Sequence, residues 1–149
     1  MTDTQEQPLR YQVRIAAGPE RVWAALTTSE GTRATLYGCS IDSTFEIGAR
    51  VEFFGHDADG QRVVQVYGEV TAFEPGRCFG YRQHPGPAHN ERHAETHCRM
   101  THTLTPVDGG TELELVVDEW TPGNPAYQHA KASYPESGYL DGIKKYAEA

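Results

Sequence analysis

From Cys39 to Trp120 the chain repeats short alternating segments separated by turn residues, with no helical stretch between them that could carry a crossover between parallel strands. The segments are "CSIDSTFEI", "ARVEFFG", "QRVVQVYGEVTAFE", "CFGYRQH", "RHAETHCRMTHTLT" and "TELELVVDEW". Gly48, Asp59-Gly60, Pro75-Gly76 and "PVDGG" separate them, and Gly and Asp tolerate the positive φ that tight turns demand. A further strand, "LRYQVRIAA", comes first and sets Leu9, Tyr11, Val13 and Ile15 on one face, with Arg10, Gln12 and Arg14 on the other. Seven strands joined as hairpins predict an antiparallel meander.

Helical signals sit only at the two ends of this run. Pro19 suits a first helical position and Glu20 meets the positive end of the helix dipole, with Val22, Trp23 and Leu26 as the apolar stripe. Ser29 is a candidate cap for a second short helix through Leu36-Tyr37, whose Gly31, Thr32 and Thr35 have poor helical propensity, so packing must hold it. Near the C-terminus, Asn124-Pro125 predicts a helix start, and Ser133-Tyr134-Pro135-Glu136 has capping-box form. Leu140 and Ile143 are out of phase with Tyr134, and an interior Pro135 would cost about 3 kcal/mol, so a break or kink is expected at Ser133–Pro135.

One strand, two helices, six strands and a last helix make sense if a curved sheet turns its apolar concave face to the terminal helix while the opening helices close one end. At 149 residues the chain is expected to be a single domain, with residues 1–8 a flexible N-terminal segment. The formal charge of −8 is spread along the chain, which argues against nucleic acid and anionic membranes as partners. No apolar run approaches the roughly 18 residues of a membrane span. Cys39, Cys78 and Cys98 form no C-x-x-C pair, which suggests reduced thiols and a cytoplasmic protein.

The segments "IAAGPERVWAALT" from Ile15, "FEIGARVEF" from Phe45, "GEVTAFEPGRCFGY" from Gly68, "TLTPVDGGTELEL" from Thr103 and "LDGIKKYAE" from Leu140 resemble the activator-of-heat-shock-protein-ATPase-homologue domain. That family belongs to the START-related (SRPBCC) superfamily, and the resemblance runs in order over nearly the whole chain. It implies an α+β helix-grip (START/Bet v-like) fold: a seven-stranded curved antiparallel sheet, two short helices after the first strand and a C-terminal helix across the concave face. Family members often carry tryptophan near the second helix and before the last one. Here Leu36-Tyr37 and Tyr134 or Tyr139 stand in those places.

With Asp108-Gly109 at a hairpin centre, Leu104 pairs with Leu113, His102 with Leu115, Met100 with Val117 and Cys98 with Glu119. Alternation then turns Cys98, Met100, His102 and Glu119 inward, in company with Phe45, Val51, Phe53, Phe79, Tyr81 and Gln83. The ligand-binding candidates are Trp23, Phe45, Phe53, Tyr81, Cys98, Met100, His102, Glu119, Tyr134 and Tyr139. An inward Glu119 must be paired, wet or protonated, whereas one at a frayed strand end is simply solvated. His102 is read either as a satisfied core histidine or as a ligand contact, and Tyr134 and Tyr139 as ligand contacts or as helix anchors.

His84, His89, His93 and His97 raise the question of a metal. On a strand, His93 and His97 would stand roughly 13 Å apart, too far to share a zinc ion, and His84 and His89 flank a loop open to solvent. No metal is expected. Nor is any cofactor, since no G-x-S-x-G, H-E-x-x-H, P-loop or G-x-G-x-x-G occurs.

The leading expectation is a protein that encloses a small hydrophobic or aromatic molecule between sheet and C-terminal helix. A cyclase- or dehydratase-like enzyme using Glu119 or His102 as acid or base is the first alternative. An interaction module acting on a chaperone ATPase, implied only by the family resemblance, is the second. Trp120, beside "TPGNPAY", is a candidate contact for a homodimer.

Overall fold

The computed structural model describes residues 8–36, 38–87, 90–124, 127 and 138–149. The chain runs β1 (Leu9–Ile15), α1 (Pro19–Thr27), α2 (Ser29–Thr35), β2 (Ser40–Ser43), β3 (Arg50–His56), β4 (Arg62–Glu74), β5 (Cys78–Pro85), a 3₁₀ turn (His93–Glu95), β6 (Cys98–Val107), β7 (Gly110–Asp118) and α3 (Gly138–Glu148). The strands form one antiparallel sheet in the order β1-β7-β6-β5-β4-β3-β2. The β6–β7 hairpin has the expected register, with His102 opposite Leu115 and Met100 opposite Val117.

The sheet bends where β4 carries two extra residues. Its register slips between Phe53 and Phe54 on the β3 side and between Val70 and Ala72 on the β5 side, skipping Gln65 and Thr71 in the residue pairing. Such bulges raise the local twist and kink the strand that holds them. The Thr71 hydroxyl is buried there with no hydrogen-bond partner.

The concave face carries Val51, Phe53, Val70, Phe79, Tyr81, Leu113, Leu115 and Val117, all buried. On the helix side Val22, Ala25 and Leu26 of α1 join Leu140, Ile143 and Ala147 of α3 in one core with them. α3 packs against α1, α2 and β1. Its last turn is held by Arg21, whose Nε donates to the Ala147 carbonyl at 2.6 Å and whose Nη2 donates to the Ala149 carbonyl at 2.9 Å. Gly31 lets α2 approach α1: a Cβ there would lie 2.2 Å from the Ala24 carbonyl oxygen.

Several local expectations need correction. Thr28, not Ser29, caps α2, with its hydroxyl accepting from the Gly31 amide at 3.0 Å. That helix stops at Thr35, and Leu36 leaves helical geometry at ψ 59. β2 ends at Ser43 rather than running on to Ile47, because Phe45 takes φ 62, a left-handed conformation that no strand continues. β6 starts at Cys98, since residues His93–Glu95 coil into the 3₁₀ turn. The expected break at Ser133–Pro135 and nearly all of the N-terminal segment 1–8 lie outside the described residues.

Candidate functional site

The sheet's alternation brings His102 to the centre of the concave face. Its register partners are Phe79 on β5 and Leu115 on β7, and it is 1% exposed. Nδ1 lies 3.2 Å from the Phe79 carbonyl oxygen and Nε2 lies 2.7 Å from the Tyr139 hydroxyl on α3. The ring lies near parallel to those of Phe79 and Tyr81, at 6.4 and 6.1 Å between centroids. Burial pushes the imidazole down to about 4, against the opposing pull of the Phe79 carbonyl, so the ring is neutral at physiological pH.

Around this pair runs a narrow cleft lined by Ala25 and Leu26 of α1, Thr32 and Thr35 of α2, Leu36, and Phe53, Phe79 and Tyr81 of the sheet. None of its space is wide enough to seat a water molecule. The unfilled room expected between sheet and helix is therefore a tight slot. The walls are apolar and aromatic, with hydroxyls from Thr32, Thr35, Tyr81 and Tyr139 as the polar groups beside the histidine.

Of the ten residues singled out in the sequence, Phe53, Tyr81, His102 and Tyr139 meet at this slot. Trp23 and Phe45 lie beside it in an aromatic cluster, where each packs on both Phe73 and Phe79, with centroid distances from 5.3 to 6.3 Å. Cys98 and Met100 are buried further along the same face, and Met100 Sδ accepts the Tyr81 hydroxyl at 3.8 Å. Burial lifts the Cys98 thiol to about 12, with Asp118 adding to the rise, which removes it as a nucleophile. Tyr134 lies outside the described residues.

Glu119 is a correction. It was expected to point inward opposite Cys98, but β7 ends at Asp118 and Glu119 adopts φ 52, which breaks the alternation. Its side chain is 46% exposed and pairs with Arg99 at 3.2 Å. Trp120, expected as an exposed dimer contact, instead donates its indole N–H to the Val117 carbonyl and packs edge-on against Tyr127 at 5.1 Å.

The histidines also differ from expectation. His84 is buried, not solvated: its ring stacks on Tyr67 at 4.9 Å, and its Nδ1 donates to the His93 carbonyl at 3.0 Å. His93 leaves the strand for the 3₁₀ turn, where its Nδ1 meets the Tyr67 hydroxyl at 2.5 Å, so the strand spacing used to separate it from His97 does not apply. His89 lies outside the described residues. Among the described residues, no three His, Cys, Asp or Glu side chains are grouped to hold a metal ion.

Sequence reasoning left out the walls supplied by α1 and α2, namely Ala25, Leu26, Thr32, Thr35 and Leu36. The available signal was α2 itself. A helix that is poor by propensity and carries two threonines three residues apart needs a buried use for that face, and Thr32 is fully buried.

A curved antiparallel sheet gripping a C-terminal helix defines the helix-grip class of START-related domains. Within it, the family described as Activator of Hsp90 ATPase homolog 1-like protein matches residues 16–148, and the chain belongs to that family. A protein from Mesorhizobium loti superposes with a TM-score of 0.70 at 23% identity, covering 94% of this chain and 96% of that one. A Rhodobacter sphaeroides protein gives 0.66 at 25% identity, over 97% of this chain and 91% of that one. The Aha1 dimer from Colwellia psychrerythraea, solved in solution, gives 0.68 at 17% identity, over 95% and 96%. No curated protein matches the chain. No described helix is long and apolar enough to cross a membrane.

Proposed function

We propose that this chain, acting as a single domain, is a cytoplasmic binding protein for a small uncharged apolar or aromatic molecule, held in the slot between the sheet, α2 and α3. The observation that carries the reading is the His102–Tyr139 pair. It is a polar couple withdrawn from water on the floor of an otherwise apolar cleft, with a hydrogen bond of 2.7 Å. A core that only had to be filled would gain from an apolar residue at position 102, because burying an imidazole carries a desolvation penalty.

Size limits the ligand. The slot as it stands seats not even a water molecule, so a ligand enters only as its walls part, which favours a single ring or a short branched chain. α2 is the wall that yields, being seven residues long and rich in poor helix formers. With Glu119 outside, acid–base catalysis would rest on a single neutral histidine, and nothing in the geometry favours the enzyme reading over binding. The dimeric state described for the Colwellia relative makes a homodimer the expected assembly to look for.

The test is native mass spectrometry of the full chain isolated from its own host, followed by NMR of the released and reloaded protein. A retained small apolar or aromatic molecule that shifts the His102 and Tyr139 signals is the expected result. A molecule that leaves both signals in place, or a chain that takes up no such molecule, overturns the reading.

A further inference from the structure

We infer that the slot selects its ligand through a hydrogen-bond donor on the ligand, with His102 Nε2 as the acceptor that donor addresses. The inference rests on the small-molecule reading above and specifies the polar end of that molecule.

A carbonyl oxygen can only accept, so the 3.2 Å contact with Phe79 requires the proton of His102 to sit on Nδ1. A neutral imidazole has one ring proton, which leaves Nε2 as a bare acceptor and makes the Tyr139 hydroxyl the donor at 2.7 Å. The other hydroxyls along the walls send their protons away in the same manner. Thr35 donates to the Gly31 carbonyl at 3.0 Å, Thr32 to the Ser29 carbonyl at 3.4 Å and Tyr81 to Met100 Sδ at 3.8 Å. Among the described residues, no lysine, arginine, aspartate or glutamate lines the slot.

The lining thus offers acceptors whose own protons are already committed. A ligand hydroxyl can insert between the two, donating to Nε2 while its oxygen accepts from the Tyr139 hydroxyl, so that neither group loses its partner. A ketone, ether or carboxylate finds an acceptor facing an acceptor unless one of the existing bonds breaks. A carboxylate is opposed twice, because it would also be buried with no cation beside it among the described residues.

The experiment compares phenol, anisole and benzoate, three single-ring probes that differ at one substituent, by NMR titration of the full chain at neutral pH, for the wild type and for Tyr139→Phe. Phenol is expected to bind at least about 10-fold more tightly than anisole, because a site whose polar group is left unpaired rejects the analogue lacking the donor. Benzoate is expected to bind more weakly than either. Tyr139→Phe leaves Nε2 bare in the free protein, so the ratio of phenol to anisole affinity should rise several-fold in this variant. ¹⁵N chemical shifts of the ligand-free wild type should show His102 protonated at Nδ1, a readout that needs no variant to fold. Equal affinity for phenol and anisole, or a proton found on Nε2, overturns this inference and leaves the binding reading standing. Failure of all three probes to bind either protein overturns the binding reading itself, and this inference with it.

Discussion

His102 is where the stability of the molecule couples to pH. Burial lowers its folded-state value to about 4 from an ordinary 6.5, so the unfolded chain takes up the proton first as pH falls. The contribution is complete above about 6.5 and declines towards pH 4, with a full decrement of about 3 kcal/mol at 1.36 kcal/mol per pH unit. His97, lowered by burial and by His84 and Arg82, adds in the same direction. Urea midpoints across this window should fall as the pH does, and His102→Gln should flatten the curve; an unchanged midpoint in the wild type would refute the argument. Glu119 gives the opposite kind of test. Its left-handed backbone favours glycine by about 1–2 kcal/mol, and its exposed ion pair with Arg99 is worth about 0.2–1 kcal/mol. Glu119→Gly should therefore raise the thermal midpoint, and a lowered midpoint would refute the argument. At this scale the inward placement of His102 was legible, because alternation counted from a two-residue turn is reliable inside a ladder. It failed one residue past the ladder, where a single positive φ turned Glu119 outward.

At the scale of elements, two contacts set how the helices sit. Gly31→Ala should gain about 1 kcal/mol of helix propensity and lose more, since the new methyl would lie 2.2 Å from the backbone of α1. Overpacking of this kind costs about 1–3 kcal/mol, so a net loss in denaturant midpoint is expected, and a gain would show that α2 is free to move away from α1. Arg21→Ala deletes the donors that hold the carbonyls of Ala147 and Ala149, and hydrogen exchange should accelerate across residues 140–148 while the β6–β7 hairpin keeps its protection. The element order was legible because turn chemistry punctuates it: Gly60, Gly76 and Gly109 all take positive φ where turns were expected. The 3₁₀ turn at His93–Glu95 was not. Its His93 ring meets Tyr67 and its His93 carbonyl accepts from His84, tertiary contacts with no periodic trace in the sequence.

For the whole molecule, sheet and helices share one buried cluster, from Ile15 on β1 to Ala147 on α3. A single core predicts one cooperative calorimetric transition, with the van't Hoff and calorimetric enthalpies equal; two resolved transitions would contradict it. The order of β2 to β7 could be foreseen because hairpin connection leaves few alternatives, whereas both β2 and β7 offered β1 a free edge and the structure places it on β7. The tightness of the slot could not, since the packing of Phe53 against Tyr81 and of α2 against α1 depends on distances that no pattern of residue types encodes.

Both surplus residues of the sheet, Gln65 and Thr71, belong to the same strand, β4. That strand is therefore a crease, with β2 and β3 forming one leaf and β5, β6, β7 and β1 the other. Phe53 stands on the smaller leaf, while Tyr81 and His102 stand on the larger, so the slot straddles the fold line. The width of the slot is therefore set by the angle at which the two leaves meet along β4, while α3 stays docked against β1 on the larger leaf.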